Sequence, residues 1–319
     1  MLEYTVNQNG TADFITVTEA VQAVPYAQSA VIRLANGVYR EKLYCDKKDI
    51  TLMGESQSGT RIVFGDGAKH LHADGTPYGT FRSWTALFTG EKVHIENLTI
   101  ENDAGDGKQH GQAVAAYMDA AFVHCKNVSF IAHQDTLFTA PLPQKERQQR
   151  GFLGPREHTP RTPSAQLYES CCIMGDIDFI YGGADVLFKN CELVMRDRGE
   201  EINGYFAAPS TPKEGVGYVF YRCNIHGDQT AQPATAYLAR PWREYGKAAF
   251  IECQMSAVVH PDGFHDWDNA DNRTTCTFAE YGTTGSGAAA KRAFGYAFSC
   301  EEAQKLVGIC EKRINAFLY

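Results

Sequence analysis

Apolar residues recur along this chain in a fixed frame: one apolar position, a second three residues later, and a third two residues after that. The frame falls on Ile95, Leu98 and Ile100; Cys125, Val128 and Phe130; Tyr168, Cys171 and Ile173; Phe188, Cys191 and Leu193; Phe220, Cys223 and Ile225; and Phe250, Cys253 and Met255. A weaker copy is read at Ile50 and Leu52, where Lys47 spoils the first place. Successive central residues, from Leu98 to Cys253, lie 30, 43, 20, 32 and 30 positions apart. Such intervals suit the coils of a solenoid joined by loops of variable length. Each frame ends in a short alternating run, soon followed by Gly, Asn or Asp, and is too short for the paired helices of a helical solenoid. The pattern therefore predicts an all-β parallel β-helix.

In such a fold, equivalent positions of neighbouring coils stack along the axis at about 4.8 Å. Cys171, Cys191, Cys223 and Cys253 should then form an internal column that fills the core, since thiols in a dry column lack the convergent geometry of a zinc site. Helical spacing appears only at the ends. TVTEAVQAV before Pro25 predicts an N-terminal helix capping the first coil. In SCEEAQKLVGICEKRINAF, Ala303, Leu306, Val307, Cys310 and Ile314 share one face behind Ser299 as N-cap, which predicts a C-terminal helix lying outside the coils. A repeat fold of this size forms one continuous body, so residues 1–319 are read as a single domain.

Composition narrows the function. A net charge of −8 argues against a general affinity for nucleic acid, so an acidic substrate would have to be held by local groups. No apolar run approaches the roughly 20 residues needed to span a bilayer. The N-terminal MLEYTVNQNGTADF has no basic segment, apolar stretch and cleavage site in series, and the ten cysteines show no CxxC pair and no short disulfide framework. Together these lead to the expectation of a cytoplasmic, monomeric protein with reduced thiols.

The repeat also places two carboxylates. Asp135 lies seven residues after Val128 and Asp178 seven residues after Cys171, so equivalent offsets on adjacent coils should bring the two side chains together. Two like charges held that close titrate as a unit, one with a raised pKa, and supply an acid and a nucleophile at once. Retaining glycosidases use a similar pair, so this geometry alone leaves ester cleavage and glycoside cleavage both open.

The surrounding strings are GVYREKL at 37–43, GQAVA at 111–115, QDTLF at 134–138, GDIDFIYG at 175–182, LARPWREYG at 238–246, GFHDW at 263–267 and AEYGTTGSGA at 279–288. In this order they resemble the pectin methylesterases along nearly the whole chain. The resemblance implies a right-handed parallel β-helix and hydrolysis of galacturonate methyl esters in homogalacturonan or oligogalacturonides, with no cofactor and no metal. It implies Asp178 as nucleophile, Asp135 as general acid and then base, Gln112 and Gln134 as oxyanion donors, and Arg240 as the group that holds the nucleophile. It also implies Trp242 as a sugar platform, reached with Arg240 from one face of a strand, and Thr80, Tyr117, Phe138, Tyr181 and Trp267 as further substrate-cleft residues. Tyr181 stands where the family more often has Phe, and Ala239 where it commonly has Gly.

Length is the larger departure. Thirty-five residues separate Asp135 from Cys171, more than the family pattern, and they include PLPQKERQQRGFLGPREHTPRTP. This Pro- and Arg-rich segment, about 141–164, reads as a surface loop beginning beside Asp135; its excess of Lys and Arg suits attraction of polygalacturonate, although a solvated loop without a role is the simpler reading. HPDGFHDWDNAD at 260–271 fits neither a Ca²⁺ loop nor a zinc site, TTGSGAAAK is not a phosphate loop, and no Gly-x-Ser-x-Gly elbow is present. The competing readings are a polygalacturonase or pectate lyase, or a β-helix that binds polysaccharide without turning it over.

Overall fold

The recurring frame is a corner. In all six copies the residue just before the central position has a left-handed backbone: Asn97, Asn127, Ser170, Asn190, Arg222 and Glu252, with φ between 52° and 56°. One such residue bends the chain between two strands, so that the apolar residues on either side both point inward. Asn, which visits this region at low cost, fills the place three times, and Asn127 donates its side-chain amide to Asn97 on the neighbouring coil at 2.7 Å.

A computed structural model, describing residues 1–318, stacks these corners into a right-handed parallel β-helix with three sheets of eleven, seven and eight strands. Tyr168, Phe188, Phe220 and Phe250 are paired in register in the eleven-stranded sheet and stack with ring planes within 17° of parallel. The cysteine column is buried and its thiols are free, each donating to a carbonyl of the coil before it: Cys171 to Cys125, Cys191 to Tyr168, Cys223 to Phe188 and Cys253 to Phe220, at 3.3–3.4 Å. Core filling is thus their structural role.

The weak copy at Ile50 is corrected. Leu52 pairs with Ile95 and Ile62 with Ile100, so Leu52 occupies the first place of that coil and a turn of several residues replaces the single-residue corner. Lys47 lies before the strand Asp49–Gly54 and takes no part in the frame.

Both terminal helices open on a side-chain cap, reciprocal at Ser299, whose N–H donates to the Glu302 carboxylate. Val17–Ala23 starts at Thr16, whose hydroxyl accepts from Glu19 N–H, and its Val17, Ala20 and Val21 join the core at the open end of the first coil. Cys300–Leu318 starts at Ser299, whose hydroxyl accepts from Glu302 N–H. Its Ala303, Val307, Cys310 and Ile314 cover Leu167, Leu187, Val219 and Ala249 on the outer face of the largest sheet.

Candidate active site

The seven-stranded sheet carries the site on its outer face. One residue from each of five of its strands is paired in register, Leu87 with Tyr117, Tyr117 with Phe138, Phe138 with Tyr181 and Tyr181 with Ala208. They form an outward-facing apolar row above which a cleft of about 280 Å³ opens.

Asp135 and Asp178 each sit two residues before a paired position, Leu137 opposite Ile180, so they occupy the same place on adjacent coils. Both adopt the left-handed backbone, at φ 66° and 51°, a conformation that Asp tolerates better than most residues. The coils must approach closely here: a Cβ on Gly175 would lie 2.4 Å from Thr136 Oγ1 and 2.6 Å from the His133 carbonyl, so only glycine fits.

The two carboxylates differ in their partners. Arg240 donates through Nε to Asp178 Oδ1 and through Nη2 to Asp178 Oδ2, both at 2.7 Å. This two-point fork fixes the carboxylate plane and places a full positive charge against it. The guanidinium is itself held between the rings of Tyr205 and Trp267, at 3.7 and 3.8 Å from their centroids. Among the described residues Asp135 has no cation of its own. Burial, and then the negative charge of Asp178, hold its carboxyl well above the usual carboxylate range against the pull of Arg240. The buried Tyr181 hydroxyl lies near Asp135 without closing a hydrogen bond of good geometry. The site therefore sets a carboxylate gripped by a guanidinium beside a carboxyl whose pKa is raised.

Gln112 and Gln134 line the same cleft, together with Thr80, Tyr181, Trp242 and Trp267. Gln134 rests on Gly107, where a Cβ would come within 2.9 Å of its Oε1, so a larger residue there would displace the amide. Two expected cleft residues are placed differently. Tyr117 and Phe138 are fully buried and pack on each other edge to face at 4.7 Å, beneath Phe81. They floor the cleft from below because the chain covers them, and of that row Tyr181 and Ala208 reach the cavity. Arg240 and Trp242 also do not lie on a strand, since that strand is Ala236–Ala239. Their N–H groups still donate in alternation to Ala207 and Pro209 carbonyls, which keeps both side chains on the cleft side.

The inserted loop is not a solvated excursion. It leaves the strand Leu137–Thr139 and returns at Ala165–Glu169. Phe152 is 5% exposed and packs on Phe81 and Trp242, while Arg147, Gln148 and Gly151 line the cleft. Arg161 knots the loop by donating to the carbonyls of Pro143, Arg156, Glu157 and Thr159, and Arg156 pairs with Asp119. Reading the segment by charge alone missed Phe152, the one large aromatic in a polar stretch and the signal that it is anchored. Tyr205 and Phe81 were missed as well, because their roles arise from packing against Arg240 and Trp242.

A parallel β-helix with paired aspartates on its outer face, one forked to arginine, an adjoining pair of amides and an aromatic wall defines a carbohydrate esterase. The pectinesterase family model matches residues 3–149 and 159–305, the break falling inside the inserted loop. Pectinesterase 31 of Arabidopsis thaliana is 32% identical over 297 residues, covering 88% of this chain and 82% of that protein. Several of the other curated relatives are longer pectinesterase/pectinesterase inhibitors, of which the chain spans a little under half. Among solved structures, the pectin methylesterase from carrot matches with a TM-score of 0.79 at 28% identity, over 95% of this chain and 90% of that one. The pectin methylesterase of Erwinia chrysanthemi matches with a TM-score of 0.77 at 25% identity, over 96% and 95%. The chain belongs to the pectinesterase family.

Proposed function

We propose that this carboxylic ester hydrolase removes methyl esters from galacturonate units of pectin through Asp178 as nucleophile and Asp135 as proton carrier. The observation that carries this reading is the asymmetry of the aspartate pair: equivalent places on adjacent coils, with the arginine fork on Asp178 and the raised pKa on Asp135. An Asp178 oxygen attacks the ester carbonyl carbon, and the carbonyl electrons move onto its oxygen, where the Gln112 and Gln134 amides donate to the developing charge. As the oxyanion collapses, the bond to methoxide breaks and the Asp135 proton goes to it, releasing methanol and leaving a mixed anhydride on Asp178. Asp135, now a carboxylate, takes a proton from water, whose oxygen attacks the galacturonyl carbon. Asp178 departs as a carboxylate and Asp135 is again an acid. Net, one ester and one water give one methanol and one galacturonate, whose proton passes to solvent.

Trp242 and Trp267 supply aromatic faces for the sugars, and Tyr117 and Phe138 act by supporting them. The ten free thiols support a reducing compartment, the cytoplasm. Product analysis on methylated oligogalacturonides tests the reaction class: methanol should appear without new reducing ends and without unsaturated sugars. New reducing ends would point to glycoside hydrolysis and unsaturated products to elimination, and either in place of methanol would overturn the proposal.

A further inference from the structure

A second pair of side chains stands beside the aspartates in the same register. His133 comes two residues before Asp135, and Asp176 two residues before Asp178. Ile131 is paired with Met174, so His133 and Asp176 also hold equivalent places on adjacent coils. His133 Nδ1 lies 3.3 Å from Asp176 Oδ2, and the other oxygen of that carboxylate accepts from the Ile177 N–H at 2.6 Å. The backbone knits the two pairs together: Asp176 N–H donates to the His133 carbonyl, and Asp135 N–H donates to the carbonyl of Ile177, the residue between Asp176 and Asp178.

Two observations set Asp176 apart from an ordinary turn aspartate. The first is burial without a strong cation. Its side chain is 1% exposed, and among the described residues its one ion-pair partner is the imidazole of His133, with no lysine or arginine at that distance. A carboxylate shut away from water in this way is felt by its neighbours more strongly than a surface charge would be. The second is closure from the next coil, where Tyr205 N–H donates to the Asp176 carbonyl at 3.2 Å and a Cβ on Gly204 would come within 2.2 Å of it. The turn that carries Asp176 is therefore held from both sides, and Tyr205 is also one of the two rings that flank Arg240. The charges that face Asp135 are Asp178 and Asp176 from the adjoining coil and Arg240 from further along, with the Tyr181 hydroxyl beside them; Asp176 adds to Asp178 in raising the proton affinity of Asp135.

We propose that Asp176 is a positioning residue of the reaction, a third carboxylate whose negative charge keeps Asp135 in the form that gives its proton to the departing methoxide, and that His133 is the clamp that holds it in place. The use of that proton rests on the esterase reading; the coupling between the carboxylates does not. Of the two negative groups that face Asp135, Asp178 is gripped by the Arg240 fork, which offsets part of its field, whereas Asp176 has only an imidazole against it. Removing the Asp176 charge should therefore let Asp135 release its proton at lower pH.

The test follows the Asp135 carboxyl directly in the full chain, by NMR of protein labelled at the aspartate carboxyl carbons and titrated with pH, the signal being assigned by its absence from Asp135→Asn. Asp176→Asn and Asp176→Ser each keep an acceptor for the Ile177 N–H and remove the charge, so each should move the Asp135 midpoint to lower pH, and by a similar amount. His133→Gln keeps the carboxylate and a donor, and should not lower the midpoint. In turnover, the alkaline limb of kcat/KM for methanol release from methylated trigalacturonate should move to lower pH in the two Asp176 variants. An Asp135 midpoint that stays in place in whichever Asp176 variant is folded overturns the proposal. An equal fall in His133→Gln also overturns it, because the effect would then belong to disturbed packing and not to charge. If wild type releases no methanol from any ester, the esterase reading fails separately, and the NMR titration still decides whether Asp176 acts on Asp135.

Discussion

Replacing Arg240 with Lys keeps a positive charge beside Asp178 and removes the geometry. The fork makes two bonds of 2.7 Å, of which an ammonium can replace one, and the planar group lies between Tyr205 and Trp267 at 3.7 and 3.8 Å. A charge-assisted hydrogen bond contributes about 1.5–3 kcal/mol and a cation–π contact about 0.5–2 kcal/mol, with overlap between them. The variant should therefore lose about 2–4 kcal/mol of nucleophile orientation, roughly 30- to 1000-fold in rate. The loss should fall on kcat, because Arg240 faces Asp178 while the substrate is gripped by other groups. Initial rates of methanol release from a fully methylated trigalacturonate, with thermal melts to confirm folding, provide the assay. A folded Arg240→Lys enzyme with kcat within threefold of wild type would refute the reasoning, as would a loss confined to KM.

Gln112→Ala should lower kcat by roughly 10²–10³, the typical loss for one oxyanion donor, with methanol release again the readout and an unchanged rate removing Gln112 from the site. Asp135 gives a pH prediction. Its folded pKa is raised, so between the ordinary carboxylate value near 3.9 and the folded value only the unfolded chain releases the proton, and stability falls with rising pH by about 1.4 kcal/mol per unit. Asp135→Asn, though inactive, should melt higher than wild type at neutral pH, with the gain vanishing below about pH 4; a lower melting point at neutral pH would contradict the raised pKa. Phe152→Ala should free the loop from Phe81 and Trp242, raising KM more than it lowers kcat and exposing residues 144–160 to limited proteolysis. Unchanged kinetics and unchanged proteolysis would show that the loop stands without that anchor.

The coils were legible in the sequence because a β-helix repeats its inward positions along one chain, and the thiol and aromatic columns at Cys171–Cys253 and Tyr168–Phe250 are that repetition seen directly. The aspartate pair was legible for the same reason, since equal offsets from Val128 and Cys171 become equal places in space. Where a corner was lengthened, as after Leu52, the fixed spacing failed and the frame was set on the wrong residues. Outward-facing roles were harder to read. Tyr117, Phe138 and Tyr181 share one row, but which of them reaches the cavity depends on what Phe81 and the inserted loop lay over it. Asp176 could not be read as the buried partner of His133, because its burial depends on the following coil, where Gly204 and Tyr205 close over it.

The central claim is that Asp178 is the nucleophile, and the most direct measurement is methanol release by Asp178→Asn beside wild type on methylated trigalacturonate, with substrate binding measured on the same preparations. An asparagine keeps the shape and cannot attack, so turnover should fall at least about 10⁴-fold while the fold and the binding of the ester persist. Release at or near the wild-type rate from a folded, homogeneous Asp178→Asn protein would contradict the account.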